Sequence, residues 1–499
     1  MLAWTIYSSF IGATVVMLLP RGLTRAARVV ALLTAIFGFV IAMAGVMHGR
    51  NCSGIEAVVR TDWIPTLGIR YYLAADGISL TLGLLTGLAA IAGILFSWNL
   101  EHRAKEFFAF YLGLIGGVYG VFLSFDLFLL FVFYELAIIP KYFLIAIWGS
   151  THKEYGAMKL ALYSFVGSAM VLIGLIAAYV VAGARTMDLV ELARFHFPYG
   201  MQLWAFPLVF VGFGILAGLW PFHTWAPTGH VAAPTAASML LAGVVMKLGA
   251  YGCLRVAMSL FPLGLAAWSR PLAVLAAIGI IYGALVALVQ KDFKFVIGYS
   301  SVSHMGFVLL GLLTLNTIGL TGAVLQMFSH GIIAGLLFAV VGRMVYDRTH
   351  TRDLGELEQM NLSKTIPFAA VILTLASVAS MGLPGFSGFV AELQVLIGAW
   401  HAFSTLAIVG GIGILLGVAY TLRVLQRAFF GDHQREVPAS PVGHAPVELP
   451  PISIPERVGA ILLIATSVLV GLFPGILMRL ITSSFESSLF GWLPKGGGP

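Results

Sequence analysis

Long apolar stretches separated by short polar connections run through almost the whole sequence. A helix that crosses a membrane needs about 17–25 mainly apolar residues, and the pattern predicts fourteen of them. In chain order these spans 1 to 14 cover residues 2–19, 29–48, 79–98, 107–125, 127–149, 160–183, 204–226, 235–258, 272–290, 295–315, 317–342, 366–396, 404–422 and 458–478. No connection is long enough for a separate soluble domain, so we expect an all-α polytopic membrane protein.

The composition supports a membrane location and argues against a soluble domain, a nucleic-acid-binding protein and a disulfide-rich protein. The 499 residues are 60% hydrophobic and 10% charged, whereas soluble domains carry about 25% charged residues. The net charge of +7 is spread over the connections without a Lys/Arg cluster, so we expect no nucleic-acid partner. Cys52 and Cys253 are far apart and indicate neither a metal site nor a disulfide framework.

The basic residues are distributed unevenly between the two sides. The odd-numbered connections hold 17 Lys and Arg residues, and the even-numbered connections with the tails hold nine. Since basic residues are enriched on the cytoplasmic side, the odd connections are predicted to be cytoplasmic and both termini to lie on the opposite side. The longest cytoplasmic connection, about 423–457, is rich in Pro and charge and is expected to be an irregular docking surface.

A few ionisable residues remain inside the spans. Lys141 and Lys247 are the two basic residues left there, and the acids are Glu135 and Glu392. The histidines in the spans are His223, His304 and His330. A charge at the bilayer centre costs at least about 2.5–3.5 kcal/mol, so this set predicts proton or ion transfer. The alternatives are that a Lys–Glu pair joins two helices and that each histidine only packs.

Two spans contain helix-breaking residues. Span 7 ends in the segment 220–227, and span 12 contains the segment 382–388. Proline removes a backbone donor and clashes with the preceding turn, so both helices should be interrupted. The residues of interest at the breaks are Pro221, His223, Trp225, Pro227, Pro384 and Gly385.

The two breaks lie five spans apart, which predicts an internal repeat. Interrupted spans at matching positions indicate repeats and a transport site, and a period of five makes the second copy inverted. The predicted units are helices 1–3 (1–106), the first five-helix repeat (107–258), the inverted repeat (272–422) and a C-terminal part (423–499). The alternative is that Pro and Gly are common in membrane helices in general.

Several segments resemble the antiporter-like membrane subunits of respiratory complex I. The similarity extends over about residues 1–480 and is carried by the segments 133–149, 221–227, 233–236, 241–247, 299–307, 326–331, 350–353 and 388–392. These motifs are shared with multisubunit cation/proton antiporters and membrane-bound hydrogenases. Glu392, where the L and N chains of complex I usually carry lysine, favours the M chain (chain 4) family, as does the absence of a long C-terminal lateral helix.

The resemblance implies a role for each matching residue. Glu135 would tune the channel by pairing with a lysine, and Lys247 would be the central proton carrier. His304 and His330 would bridge to Glu392, which would be the exit or inter-subunit residue. The implied function is proton translocation in NADH:quinone oxidoreductase.

This chain departs from the family at one position. The family places a lysine on span 7 as the partner of the span-5 glutamate, and here that position is Leu216. Lys141 stands on span 5 where the family has an uncharged residue. We hypothesise that Lys141 substitutes for the missing lysine of span 7. Six residues along a helix separate Lys141 from Glu135 by about 120° and about 9 Å, so the two cannot stack directly.

The resemblance also implies that the redox chemistry takes place outside this chain. The chain itself is expected to hold no catalytic residue, cofactor site or metal site. NADH, FMN, iron–sulfur clusters and quinone would belong to partner subunits. The expected partners are antiporter-like chains on both sides, the lateral helix of the L chain and lipid of the bacterial cytoplasmic membrane. The alternatives are a subunit of a Na⁺/H⁺ antiporter, a subunit of a hydrogenase or formate-oxidising complex, and a structural anchor. The sequence leaves proton and sodium, the quinone type and the order of proton steps open.

Overall fold

The computed structural model describes residues 1–20, 22–49, 54–431 and 449–493. Cys52 and residues 432–448 of the predicted docking surface fall outside these ranges. The α-helices are Trp4–Leu18 (α1), Thr24–Gly49 (α2), Gly77–Phe96 (α3), Ala104–Leu123 (α4), Leu127–Trp148 (α5), Lys153–Val181 (α6), Leu189–Ala193 (α7), Tyr199–Ala217 (α8), Trp225–Ala232 (α9), Thr235–Leu240 (α10), Met246–Gly252 (α11), Pro262–Val289 (α12), Phe293–Leu312 (α13), Thr317–Ala339 (α14), Asp347–Thr349 (α15), Leu354–Glu358 (α16), Leu362–Thr365 (α17), Pro367–Ser380 (α18), Ser387–Phe429 (α19), Ile454–Leu472 (α20) and Gly475–Ser484 (α21).

Within the described residues, twelve helices are long and apolar enough to cross a membrane. Two further apolar helices, α1 and α18, are shorter. The 43-residue α19 contains a non-helical residue, Phe403, with φ −148° and ψ 71°, and this kink lies in the connection predicted between spans 12 and 13. The multi-pass helical architecture is confirmed, and the count of fourteen spans stays a prediction.

The division between spans 4 and 5 has a clear local cause. α4 ends at Leu123 and α5 begins at Leu127. The side chain of Asp126 accepts a hydrogen bond from the backbone N–H of Leu129 at 3.0 Å, which caps α5 as an N-terminal aspartate does. A single acidic residue between two apolar runs therefore separates two membrane helices.

A β-hairpin adds to the helical architecture that the sequence predicts. Strands Glu56–Ile64 (β1) and Ile69–Ala75 (β2) pair antiparallel. An ionic clasp attaches the hairpin to α7: Arg60 and Arg70 contact Asp188 and Glu191, with the shortest distance 2.7 Å from Arg70 Nη1 to Glu191 Oε1. The clasp lies on the side opposite the predicted cytoplasmic connections.

Three helical spans form the buried centre of the molecule. These are α3, the stretch Thr235–Met258 and the stretch Thr317–Thr349, whose apolar windows are entirely buried. Helix α6 lies at the periphery and exposes large apolar side chains, among them Leu162, Phe165, Val166 and Ile173. An apolar exposed face is what lipid or a neighbouring membrane subunit would cover.

Wider turns interrupt the central helices. π-helical segments occur at Leu241–Val245 and Cys253–Met258, on both sides of α11, and at Val340–Tyr346 after α14. π-helical turns are rare in proteins, and those that occur are often found at functional sites. The helix that carries Lys247 therefore has irregular backbone on both sides of this residue.

Candidate functional site

Lys247 lies at the centre of the molecule and is completely buried. Its amine donates a hydrogen bond to the carbonyl oxygen of Ala242 at 2.5 Å and lies 2.7 Å from His330 Nδ1. The close approach of the two helices depends on glycine, because a Cβ on Gly331 would lie 2.6 Å from the carbonyl oxygen of Gly243. Small residues at this crossing bring the lysine and the histidine into direct contact.

The contacts continue from His330 toward Glu392. The rings of His330 and His304 are 5.4 Å apart between centroids and 31° from parallel. His304 Nδ1 lies 3.1 Å from Glu392 Oε1, and the Gln326 amide donates to the same oxygen at 3.1 Å. We call Lys247, His330, His304 and Glu392 the distal relay.

The carboxyl group of Glu392 occupies space that a glycine leaves open. Gly382 has φ +70°, and a Cβ there would lie 2.7 Å from Glu392 Oε2. A left-handed backbone without a side chain therefore makes room for the acid. A small cavity beside it is lined by His304, His330 and Glu392 together with Ser300, Gln326 and Ser380, and these polar groups suit an intervening water molecule.

The second break lies next to this cavity. α18 ends at Ser380 and α19 begins at Ser387, and Pro384 and Gly385 (φ +99°) lie in the connection between them. Ser387 Oγ is 2.7 Å from Ser329 Oγ. Ser380, the last residue before the break, places its Oγ atom 3.4 Å from His304 Nε2. The interrupted helix therefore supplies a polar partner to the relay.

Glu135 and Lys141 on α5, which we call the proximal pair, are less connected. Lys141 is 1% exposed, and its amine donates to Ser164 Oγ on α6 at 3.3 Å. Glu135 is half-buried, and its Oε1 atom has no hydrogen-bond partner among the residues that the structure describes. Among the described residues, Glu135 and Lys141 do not form an ion pair within 4.0 Å. This agrees with their six-residue spacing, which places them on different faces of the helix.

The first break lies between α8 and α9 and follows Leu216. α8 ends at Ala217, and α9 begins at Trp225, whose indole N–H donates to the carbonyl oxygen of Ile215 at 2.7 Å. Leu216 is buried at 1% exposure. A Cβ on Gly249 would lie 2.9 Å from the carbonyl carbon of Leu216, so α8 and α11 pack backbone to backbone without a polar side chain between them.

Of the remaining residues of the first break, His223 and Pro227 are buried and Pro221 is exposed. Pro221 precedes the 3₁₀ turn Phe222–Thr224, and Pro227 lies inside α9. His223 is 2% exposed, and its ring packs against Tyr282 at 5.1 Å between centroids. Neither ring nitrogen has a hydrogen-bond partner among the described residues. The structure therefore does not bring His223 into the distal relay.

Besides Lys141 and Lys247, the basic residues Arg255 and Lys294 are buried in the protein. Arg255 and Asp76 form an ion pair of 2.7 Å with both side chains fully buried. Lys294 is 4% exposed and donates to the carbonyl oxygen of Ala233 at 2.8 Å. Both basic residues stand near span ends and were assigned to connections, because hydropathy alone does not show which side of a helix end faces the protein.

One further buried group carried no signal in the sequence pattern. His230 in α9 is 0% exposed, and both of its ring nitrogens lack a hydrogen-bond partner among the described residues. The described residues hold no group of three or more His, Cys, Asp or Glu side chains arranged for a metal ion.

Solved structures resemble this chain over nearly its full length. A chain of respiratory complex I from Thermus thermophilus with bound NADH superimposes with a TM-score of 0.87 at 26% identity, covering 99% of this chain and 100% of that one. A chain of the Mrp complex from Dietzia sp. DQ12-45-1b gives a TM-score of 0.85 at 23% identity and covers 98% and 97%. The second likeness, at this identity, shows the shared fold.

The sequence comparisons narrow the family. The family described as NADH:quinone oxidoreductase/Mrp antiporter, TM matches residues 124–417. NADH-quinone oxidoreductase subunit M from Rhodobacter capsulatus is 36% identical over 478 residues, which cover 92% of this chain and 90% of that protein. NAD(P)H-quinone oxidoreductase chain 4 1 from Synechococcus sp. (strain JA-3-3Ab) is 39% identical over 384 residues, covering 76% and 72%. The chain therefore belongs to the NADH:quinone oxidoreductase/Mrp antiporter family and, within it, to the subunit M (chain 4) group.

Proposed function

We propose that this chain is a proton-translocating membrane subunit of an NADH:quinone oxidoreductase. The observation that carries the proposal is the distal relay, in which Lys247 contacts His330 and His304 contacts Glu392. Ionisable residues inside a membrane are costly and are retained where ions or protons move. The relay joins the buried centre to α19 through groups that each accept and release a proton.

Each member of the relay has a proposed role. Lys247 holds the proton at the centre, where its ammonium is balanced by the carbonyl oxygen of Ala242 rather than by a carboxylate. His330 and His304 pass it onward by rotation of their rings or through water in the cavity. Glu392 receives it and releases it toward the exit or toward a neighbouring subunit. No step requires a permanent charge on any of the four.

The proximal pair is proposed to tune this transfer. Lys141 provides a positive charge on span 5 in place of the lysine that the family carries where Leu216 stands. Its hydrogen bond to Ser164 fixes its direction toward α6, and Glu135 lies on the same helix. Changes in the protonation of either group shift the potential at the centre without lying on the proton pathway.

The proposed setting is a multisubunit complex in the bacterial cytoplasmic membrane, with both termini on the non-cytoplasmic side. NADH, FMN, iron–sulfur clusters and quinone are bound by partner subunits, and this chain contributes no redox centre. Antiporter-like chains flank it, and the lateral helix of the L chain runs along it. Residues 107–258 and 272–422 are proposed as inverted copies, with the broken spans at corresponding places.

The experiment is to replace Lys247 by Met in the whole complex and to measure NADH-driven proton pumping in inverted membrane vesicles. Because positioned proton-transfer groups contribute about 10²-fold or more to rates, we expect at least a roughly tenfold fall. Lys364, which is exposed in a connection, provides the control variant Lys364→Met. Normal pumping by an assembled Lys247→Met complex would refute the role of the relay.

Affinity purification of the tagged chain tests the setting independently. Flavin- and iron–sulfur-bearing partners with NADH oxidation activity are expected in the extract. If only antiporter-like membrane chains co-purified, the chain would belong to a secondary antiporter, and a nickel–iron partner would move it to a hydrogenase.

A further inference from the structure

Three serine side chains form a continuous series of hydroxyl contacts across three helices beside the distal relay. Ser329 lies on α14, Ser387 begins α19 directly after the second break, and Ser467 lies on α20. Ser329 Oγ is 2.7 Å from Ser387 Oγ, and Ser387 Oγ is 3.1 Å from Ser467 Oγ. All three residues are completely buried. We call them the serine chain.

The hydroxyls of the serine chain differ from other hydroxyls in the same helices. Thr374 on α18 and Thr466 on α20 each donate to the carbonyl oxygen four residues earlier in their own helix, at 2.8 Å. This bond to the same helix is a common arrangement for such side chains. Within the described residues, the hydrogen bonds of the serine chain run only between its own members. The serine chain therefore joins α14, α19 and α20 to one another.

One end of the serine chain reaches the distal relay. Ser329 immediately precedes His330 in α14 and lines the small cavity together with His330 and Glu392. Of the three serines, only Ser329 is among the described residues that line this cavity. Ser387 and Ser467 can therefore influence the cavity only through the Ser329 hydroxyl.

The other end of the serine chain belongs to the C-terminal part of the protein, which is held against α14 at two further places. Glu456 in the first turn of α20 accepts from Arg343 Nε at 2.8 Å, beyond the end of α14. Thr482 Oγ1 on α21 lies 3.3 Å from Thr321 Oγ1, near the start of α14. Ser329 lies between these two attachments along the helix. The C-terminal helices are thus fixed relative to α14 on both sides of the serine chain.

The serine chain can form its hydrogen bonds in two directions. A hydroxyl has one hydrogen to donate and two lone pairs to accept. If Ser467 donates to Ser387 and Ser387 to Ser329, the Ser329 hydrogen can be donated into the cavity. In the opposite direction, Ser329 offers lone pairs to the cavity, and the Ser467 hydrogen can turn to its own helix, as the Thr466 hydrogen does.

The relay needs both directions in turn. A carboxylate only accepts hydrogen bonds, whereas a protonated carboxyl group also donates one. The polar surroundings of Glu392 must therefore supply a donor before it takes up a proton and an acceptor afterwards. Ser329 can do both if the rest of the serine chain reverses with it, because a buried hydroxyl without a partner is costly.

We infer that Ser387 and Ser467 are positioning residues of the distal relay, which act through Ser329 by reversing the serine chain as Glu392 gains and loses its proton. Each hydroxyl only rotates about its C–O bond, so no O–H bond breaks and no charge passes along the serine chain. This inference rests on the proposed function and adds α20, which lies outside both predicted repeats, to the helices that control the relay.

The test is the variant Ser467→Ala, examined in the whole complex in inverted vesicles. Without Ser467, the Ser387 hydrogen has no acceptor in one of the two directions, so Ser329 is held as a donor. Because one such hydrogen bond changes an equilibrium by roughly two- to tenfold, we expect NADH-driven pumping per assembled complex to fall by a factor in this range. NADH oxidation by a water-soluble acceptor reports assembly.

The neighbouring residue provides the matched control. Thr466→Val removes a hydroxyl from the same helix, but this hydroxyl donates to its own backbone, so pumping should be normal. Ser467→Thr keeps the hydroxyl and should pump better than Ser467→Ala. If Ser467→Thr pumped no better than Ser467→Ala, lost packing would be the cause and the inference would be wrong.

A double variant tests whether the serines act as one unit. Ser329→Ala removes the end in the cavity, so adding Ser467→Ala should cause no further loss of pumping, whereas losses from independent sites would multiply. Multiplied losses would overturn the inference. If Ser467→Ala pumps normally while Lys247→Met does not, the inference is wrong and the proposed function stands. Normal pumping by Lys247→Met would instead remove the proposed function itself.

Discussion

The distal and proximal groups of this protein have similar residue types and different connections. In the distal relay, an amine, two imidazoles and a carboxyl group follow one another at contact distances from α11 through α14 and α13 to α19. In the proximal pair, Lys141 and Glu135 share one helix, but Lys141 donates to Ser164 and Glu135 Oε1 has no hydrogen-bond partner in the described part of the chain. The number of buried ionisable groups is thus a poorer guide to proton transfer than the contacts between them.

The strongest test of this comparison uses a buried charge that belongs to neither group. Arg255 is paired with Asp76, and losing one partner of a buried ion pair costs about 3–5 kcal/mol. We expect Arg255→Met to destabilise the protein by about this free energy, which should lower both the thermal stability and the yield of the complex. Pumping per NADH oxidised in the fraction that assembles should be unchanged.

The control for this prediction adds Asp76→Asn to Arg255→Met. Asparagine still caps α3, as Asp76 does for the Ser79 N–H, because both residue types are good N-caps. It leaves no unpaired charge, so the double variant should be more stable than Arg255→Met alone. A lower pumping ratio in either variant would mean that structural ion pairs also conduct.

The comparison is sharpened by matched acid-to-amide changes in the two groups. Glu392→Gln keeps the shape and some hydrogen bonding at the end of the distal relay but removes the titratable site. We expect roughly a tenfold or greater fall in pumping, measured as the initial rate of NADH-driven acidification of inverted vesicles. Glu135→Gln should have the smaller effect, and equal losses in the two variants would contradict the comparison.

Lys141→Met should lower pumping only moderately, because we propose that the residue tunes transfer and does not carry protons. Residues that modulate coupling change it by about 0.5–2 kcal/mol, and we expect about a two- to threefold fall, near the lower end. The measurement is the ratio of protons pumped to NADH oxidised. Unchanged pumping would show that Lys141 has no role in coupling.

The double variant Lys141→Leu with Leu216→Lys restores the arrangement of the family. If the two positions are interchangeable, it should pump better than Lys141→Leu alone. A further loss instead would indicate that the tight contact between α8 and α11 at Gly249 has no room for the lysine.

The smallest expected effect concerns the ionic clasp outside the membrane. Partial burial opposes ionisation of Glu191, but hydrogen bonds from Arg70 and Thr186 and the charges of Arg70 and Arg60 lower its pKa overall. A carboxyl group with a lowered pKa stabilises the folded state above its ordinary pKa of about 4.3, and this contribution is lost as the pH falls through the folded-state value.

Exposed ion pairs of this kind contribute about 0.2–1 kcal/mol. We therefore expect amide hydrogen exchange in β1 and β2 to be slow from neutral pH down to about pH 4.3 and to rise slightly below it, after correction for the intrinsic rate. Glu191→Gln should raise exchange at neutral pH and reduce the dependence on acid, although Asp188 stays paired with Arg60 and Arg70. An unchanged profile in this variant would show that the clasp does not hold the hairpin.

Sequence patterns were sufficient for the apolar helices, because each must satisfy its own backbone in lipid. Hydropathy does not report the hairpin, since β1 is mostly exposed and polar in part. It also assigned Lys294 and Arg255 to connections, although both side chains point inward. The contact of Lys141 with Ser164 and the isolation of Glu135 depend on how α5 packs on α6, which no spacing within one helix determines.

The two π-helical turns around α11 have a mechanical consequence. A π turn accommodates one residue more than a regular turn, and the carbonyl oxygen of Ala242 lies within the first of them while also receiving the amine of Lys247. The acceptor of the central amine is therefore a backbone oxygen, and its position is set by the winding of the helix that also carries Lys247. A substitution that changes this winding would move the acceptor even if it touched neither Lys247 nor His330.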